Sequence, residues 1–305
     1  MEGIDTLATQ KSWAQGSLQK PFTSIVTLYM HEQLALEHAV RELTGVINNI
    51  YYGNGNVDDY LLDLWLTILH TSKKLPRPTT SPPDLPTPSQ SRLLTLLSTL
   101  RQQPNPIPRP QIDTQNPIPD DPFKQQQPSK RITWTDLPQF MEGVKLALHD
   151  EPGRASGFSE LEAWAWEDLV AFLALCARDQ IGGLDAVAVR MLKGALEEEA
   201  AAAAAAKERE KGQIAEAVKL NVYVAAAALW AVIMGEELWE RQGQTVESPV
   251  GLSLEPVPEI PAGKISKPRW RMWIDRFQFM SLREDLRMST RELAAEAAAV
   301  MLRVV

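Results

Sequence analysis

Three observations predict an all-α protein, an irregular bundle of about eight helices with no sheet. Apolar residues recur at the i, i+3, i+4, i+7 spacing of one helix face in segment after segment. No short stretch alternates apolar and polar residues with β-branched enrichment and flanking hairpin turns. Proline punctuates the helical stretches, and fourteen of its 22 copies fall between Pro76 and Pro128.

Taken in order, Pro21 to Asn49 has helical periodicity through Ile25, Leu28, Tyr29, Leu34, Leu36, Val40, Leu43 and Ile47. The turn-formers Gly53-Asn54-Gly55-Asn56 end that helix, and Asp58 or Asp59 caps a second through Leu61, Leu64, Trp65, Ile68 and Leu69. The two make an antiparallel hairpin over residues 1–75. Residues 76–132 form a proline-rich insertion, rich also in Gln, Thr and Ser, and expected to be largely disordered. Five leucines between Leu93 and Leu100 predict one short helix near 89–103. Asn105-Pro106-Ile107-Pro108 recurs as Asn116-Pro117-Ile118-Pro119, and Pro83 to Pro86 fits a PxxP pattern. The arm is therefore a candidate contact for a protein partner, although PxxP also arises freely in such composition.

Residues 133–305 carry the main bundle, and the whole is expected to fold as one domain. Helices are predicted over Asp136–His149, over Ser159–Asp179 behind a Ser159/Glu162 capping box, and through Val187, Leu192 and Leu196 after Gly182-Gly183. In the second of these, Leu161, Trp164, Leu169, Phe172 and Cys176 share one side, and Trp166, Val170 and Leu173 widen it, which marks a central helix. Seven alanines from Ala200 to Ala206 read as an exposed helical extension. Ile214 to Arg241 is a second core helix, and a five-proline loop follows from Val246 to Pro268. Then Trp270, Trp273, Ile274 and Phe277 line one face of a helix whose other positions are Arg271, Asp275, Arg276 and Gln278. The expected burial partners of this aromatic face are the helices of Trp166 and Phe172 and of Trp230. A second capping box, Ser289 with Glu292, opens the last helix.

The formal net charge of −8 disfavours nucleic acid as a partner, since neutralising phosphates needs a basic face. From Lys264 to Val305 there are nine Lys/Arg against five Asp/Glu, which an amphipathic helix surface accounts for. The only cysteine, Cys176, sits in an apolar stretch and cannot form an intramolecular disulfide. Met1 to Ser24 lacks the apolar core of a signal peptide, and the apolar run Val222 to Met234 is too short to span a bilayer. No membrane association is expected, and the compartment expected is cytoplasmic or nuclear rather than secreted.

Tests for chemistry return nothing with catalytic or metal-site spacing. His31 and His38 lie seven apart on the predicted helix, but Ala35 stands where a zinc-protease motif needs histidine. Glu160 and Glu162 complement the helix dipole at a helix start, and Asp168 borders the apolar face. No phosphate loop, nucleophile elbow or Cys/His zinc pattern is present. No cofactor is therefore expected. If the central helices enclose a pocket for a small molecule, Trp166, Asp168, Trp230, Trp270 and Trp273 are the residues to line it.

Three segments resemble a known family. Trp166-Glu167-Asp168-Leu169-Val170-Ala171-Phe172-Leu173-Ala174 is similar to a Trp-x-Asn-Leu-x-Ala-Phe-x-Ala helix. Ala225 to Leu238, with Trp230 and Gly235, resembles an Ala-Ala-x-Trp-(Ile/Met)-x-x-x-Gly helix, and Arg269 to Phe277 resembles Arg-Trp-x-x-Trp-x-x-Arg-Phe. These are features of a fungal family of helical proteins catalogued as domain of unknown function 3632. The resemblance covers mainly Ser159 to Val305 and implies an intracellular ascomycete protein, with some members near specialised-metabolism genes. It departs at Asp168, where the family pattern has Asn. It brings no catalytic residues with it, so two readings stand: a non-catalytic protein-interaction or scaffold module, or a small-molecule-binding accessory protein or enzyme of a metabolite pathway.

Overall fold

The computed structural model describes residues 2–15, 21–53, 55–75, 85–107, 132–153, 158–197, 216–241, 243 and 265–305. Among these are eleven α-helices and no strand: α1 Glu2–Lys11, α2 Pro21–Met30, α3 Leu36–Tyr52, α4 Val57–Ser72, α5 Pro88–Arg101, α6 Phe140–His149, α7 Glu160–Arg178, α8 Asp185–Leu196, α9 Glu216–Glu240, α10 Lys267–Leu282 and α11 Met288–Arg303. The all-helical class is as expected, and the count exceeds about eight for three reasons. Periodicity does not predict α1, α5 adds one, and the predicted helix over Pro21–Asn49 is two. That helix breaks where Glu32 takes a left-handed φ of 62°, after which Leu36 restarts it with its apolar face re-aimed. The break also removes His31 from the helix of His38, and both histidines are exposed.

The centre is α7 against α9, flanked by α8 and α11. From Leu169 to Ala177 every residue of α7 is buried, so this helix has no solvent face along its second half. Trp164, expected to face inward, is exposed. The helix α9 is long and apolar enough by composition to cross a membrane, yet 83% of that apolar window is buried among its neighbours. Small residues let those neighbours close in: a Cβ on Gly235 would come within 2.9 Å of Val300 Cγ1 on α11. On the other side, α4 packs on α6, with Trp65 edge-on to Trp134 and to Phe140. The Trp65 indole N–H donates to the Pro138 carbonyl at 2.7 Å, which holds the turn in which Leu137 and Gln139 are both left-handed.

The helix α5 is part of the core and not an appendage. Leu93, Leu94, Leu96, Leu97 and Leu100 are all buried in the main cluster, and Thr87 with Gln90 forms a reciprocal capping box. Arg92 on α5 reaches back to α2: its guanidinium donates to the Tyr29 carbonyl, while the Tyr29 hydroxyl donates to the Arg92 carbonyl. Asn105 Oδ1 accepts from the Trp134 backbone N–H at 2.8 Å, so the chain is tied together on either side of residues 108–131. The proline-rich sequence at 76–84 and 108–131, the alanine run and most of the Val246–Pro268 loop lie outside the described residues.

Three predicted caps form differently. Ser159 accepts from the Glu162 N–H at 3.1 Å, but the Glu162 side chain turns away to Lys11. At α11 the expected Ser289 box is replaced: Arg287 is the N-cap, without a side-chain bond, and its backbone N–H donates to Asn221 Oδ1 of α9 at 2.8 Å. At α4 the cap is Asn56, which accepts from the Asp58 N–H, beside the two aspartates expected for it.

Candidate functional site

The aromatic face of α10 is positioned by Ser266, whose side chain accepts from the Arg269 N–H, with Pro268 in the first turn. Trp270, Trp273, Ile274 and Phe277 are all buried, as the spacing predicts. The neighbours are the expected ones only in part: α9, the helix of Trp230, touches this face. The helix α10 packs chiefly on α11 and then on α8, and α9 reaches it through Trp239, whose ring lies 5.3 Å from that of Trp270. Trp270 and Trp273 are 6.1 Å apart. Among the described residues no ring contact joins Trp166 or Trp230 to this group.

The indole N–H groups of Trp270 and Trp273 are both used. Trp270 Nε1 donates to the Met301 carbonyl at 3.1 Å and Trp273 Nε1 to Glu197 Oε1 at 2.8 Å. Glu197, at the C-terminal cap of α8, also takes both arms of Arg269, at 2.5 and 3.2 Å. The same guanidinium stacks over the Trp273 ring at 4.9 Å. A two-pronged charge pair that also anchors an indole fixes the angle between α8 and α10. Chemically it is neutral and saturated, an arrangement for positioning rather than proton transfer.

The remaining candidates are dispersed along the central helices. Trp166 and Asp168 are buried on α7, and Trp230 is buried on α9. The indole N–H groups of Trp166 and Trp230 have no hydrogen-bond partner among the described residues, a costly state for a buried donor. Cys176 is buried, and burial pushes its thiol well above its ordinary value, which leaves it an inert apolar side chain. No group of three or more His, Cys, Asp or Glu able to hold a metal ion occurs among the described residues.

Sequence reasoning missed a polar inclusion where α1 lies across the end of α4 and the start of α7. Lys73 is 1% exposed. Its Nζ sits 4.1 Å from the centre of the Trp13 ring and, among the described residues, makes only a long 3.5 Å hydrogen bond to the Ala147 carbonyl. Burial pulls its ammonium down to about 7, against the opposing pull of Asp150 and Glu162. His70, buried beside it, is lowered to about 4, by burial first and then by Lys74 and Lys73. Asp5 of α1 faces His70 Nε2 at 3.4 Å and pairs with Lys74. Burial would raise the Asp5 carboxyl, but those partners hold it below its ordinary value. Lys11 of α1 pairs with the buried Glu162 at 2.9 Å. The available signal was Trp13, a lone tryptophan within an otherwise polar terminus.

The outer side of α10 is the other feature outside the core. Phe279 is 53% exposed, Leu282 76% and, just beyond the turn, Met288 64%. Met272, Phe279 and Leu282 are spaced i, i+7, i+10, hence along one stripe, with Arg271 and Asp275 exposed on the same helix.

Fold and site together define an all-helical domain that carries a buried tryptophan node held by an arginine–glutamate pair. The chain belongs to the family described as protein of unknown function (DUF3632), whose model matches residues 65–277, more than two thirds of its length. No curated protein and no solved structure matches it.

Proposed function

We propose that this protein is a non-catalytic helical module that binds a protein partner through the outer stripe of α10. The observation that carries the reading is the exposure of Met272, Phe279 and Leu282 on the face of α10 opposite its buried tryptophans. Large exposed apolar side chains that lie together mark interaction surfaces, and aromatic, Met and Arg residues are those enriched in interface cores. The saturated node behind the stripe supports the reading, because a rigid helix loses little freedom when it docks. The partner is proposed to be a protein rather than nucleic acid, in keeping with the net charge of −8. The setting is proposed to be the cytoplasm or nucleus, away from membranes. The proline-rich arm is a second proposed contact.

The test is affinity capture with the wild-type chain and with Phe279→Asp/Leu282→Asp, followed by identification of the bound proteins. Loss of a saturable partner, with far-UV circular dichroism and Tm unchanged, is the expected outcome. An identical set of partners sinks the α10 assignment. For the arm, removal of 76–128 would take α5 out of the core, so the informative variant replaces only 108–131 with a short Gly-Ser linker.

A second reading has its own observation in the buried indoles of Trp166 and Trp230, whose N–H groups have no hydrogen-bond partner among the described residues. These lie on α7 and α9, which pack on each other, and an apolar ligand carrying an acceptor would satisfy them. A thermal-shift screen of metabolites decides: a ligand at a hundred times its Kd adds about 2.7 kcal/mol. A flat screen counts against this reading.

A further inference from the structure

The helix α1 lies outside the stretch that matches the family, whereas the residues it docks on, His70, Lys73, Lys74, Glu162 and Ala165, lie inside it. Its apolar contacts form a cluster of their own. Ala8 and Trp13 pack with Ala165, flanked by Ile4 and Leu7, apart from the main core. The backbone sits close on α7: a Cβ on Gly3 would come within 2.8 Å of Leu161 Cδ2. A helix this short is marginal by itself in water, so its order comes from docking.

The fit is specific in charge as well as shape. From α1 to its seat run three polar anchors: Asp5 to Lys74 and His70, Lys11 to Glu162, and Trp13 over Lys73. We infer that α1 is an intramolecular ligand of a helix-receiving face formed by the end of α4 and the first turns of α7. The same face accepts in trans an amphipathic helix carrying a carboxylate and a basic residue at the Asp5 and Lys11 positions, followed by a turn that presents an aromatic residue at the Trp13 position, in competition with α1. This goes beyond the α10 reading, because the face and its regulation are separate from that stripe.

Helix exchange of this kind turns on charge. The groups facing one another are Asp5 and Lys11 from α1, His70, Lys73 and Lys74 from α4, Glu162 from α7, and Asp150 from the turn after α6. Lys73 and His70 hold a proton less readily in the closed form than they do in water. Acid therefore favours release and alkali favours closure.

The test keeps the full chain and disables α1 by substitution. A fluorescein-labelled peptide of residues 1–15 is titrated, by anisotropy, against wild type and against Asp5→Lys/Trp13→Ala. The expected result is saturable binding to the variant at least tenfold tighter than to wild type, where the face is already filled. Adding Lys74→Asp to the variant removes that binding, and a peptide carrying Asp5→Lys recovers it. Equal binding to both chains, or none to a folded variant, overturns the inference. So does global unfolding of the variant, since α1 would then belong to the cooperative core. Hydrogen exchange on wild type is an independent measurement: α1 amides exchanging at least tenfold faster than those of α7 support the inference, and equal rates refute it.

Discussion

Lys73 lowers the stability of this fold at neutral pH, and its removal is expected to raise it. The unfolded chain holds the Lys73 proton up to about 10.5, the folded chain only to about 7. Between those values the unfolded state binds more protons, so stability falls as pH is lowered from 10.5 to 7 and is flat below that for this group. His70 repeats the pattern between 6.5 and 4. Denaturant melts from pH 6.5 to 10 are expected to show stability rising with pH in wild type and a flattened profile in Lys73→Met. At pH 7 the variant is expected to gain about 1–3 kcal/mol, as when a buried charge gives way to an apolar side chain of similar volume. At the other pole, Trp273→Ala is expected to cost about 3–5 kcal/mol, and a loss below about 1 kcal/mol would place the indole at the surface. The two residues differ in legibility for a physical reason. Trp273 announces itself through its spacing to Trp270, Ile274 and Phe277. Lys73 has no comparable spacing to announce it, and only the folded chain brings Trp13 against it. Glu162 likewise reads as half of a capping box, because Lys11 lies far away in sequence.

Most helices are readable from their periodicity because each buries its apolar face against a partner. Their boundaries are less legible where the backbone rather than the side-chain pattern decides. The left-handed residue at Glu32 divides α2 from α3 without interrupting the apolar rhythm. The helix α5 shows the opposite difficulty: prolines on both sides suggest an appendage, yet its leucines complete the core between α3, α4 and α7. That placement is testable. Leu97→Ala is expected to cost about 2–5 kcal/mol by chemical denaturation, whereas replacing 108–131 with a Gly-Ser linker is expected to change stability by less than about 1 kcal/mol. The burial partner of α10 is also beyond the reach of sequence. Periodicity tells which face of a helix is covered, not which neighbour covers it. So α11 takes the place that α7 was expected to fill.

For the whole molecule, one buried apolar cluster runs from Phe22 on α2 to Met301 on α11. A continuous core predicts one main calorimetric transition for α2 to α11, with calorimetric and van't Hoff enthalpies in agreement. Two well-separated transitions would show instead that the N-terminal helices melt as a unit of their own. The polar class of a site is harder to foresee than the core, because only folding brings the ends of α1, α4, α6 and α7 together. The bond between Asn105 and Trp134 has a consequence of a different kind. With the two flanks joined, the contour between them is closed whatever its length, and each doubling of such a loop costs only about 0.6 kcal/mol in closure entropy. The chain thus has a port at which sequence is free to lengthen, shorten or host a foreign peptide while the eleven helices keep their places.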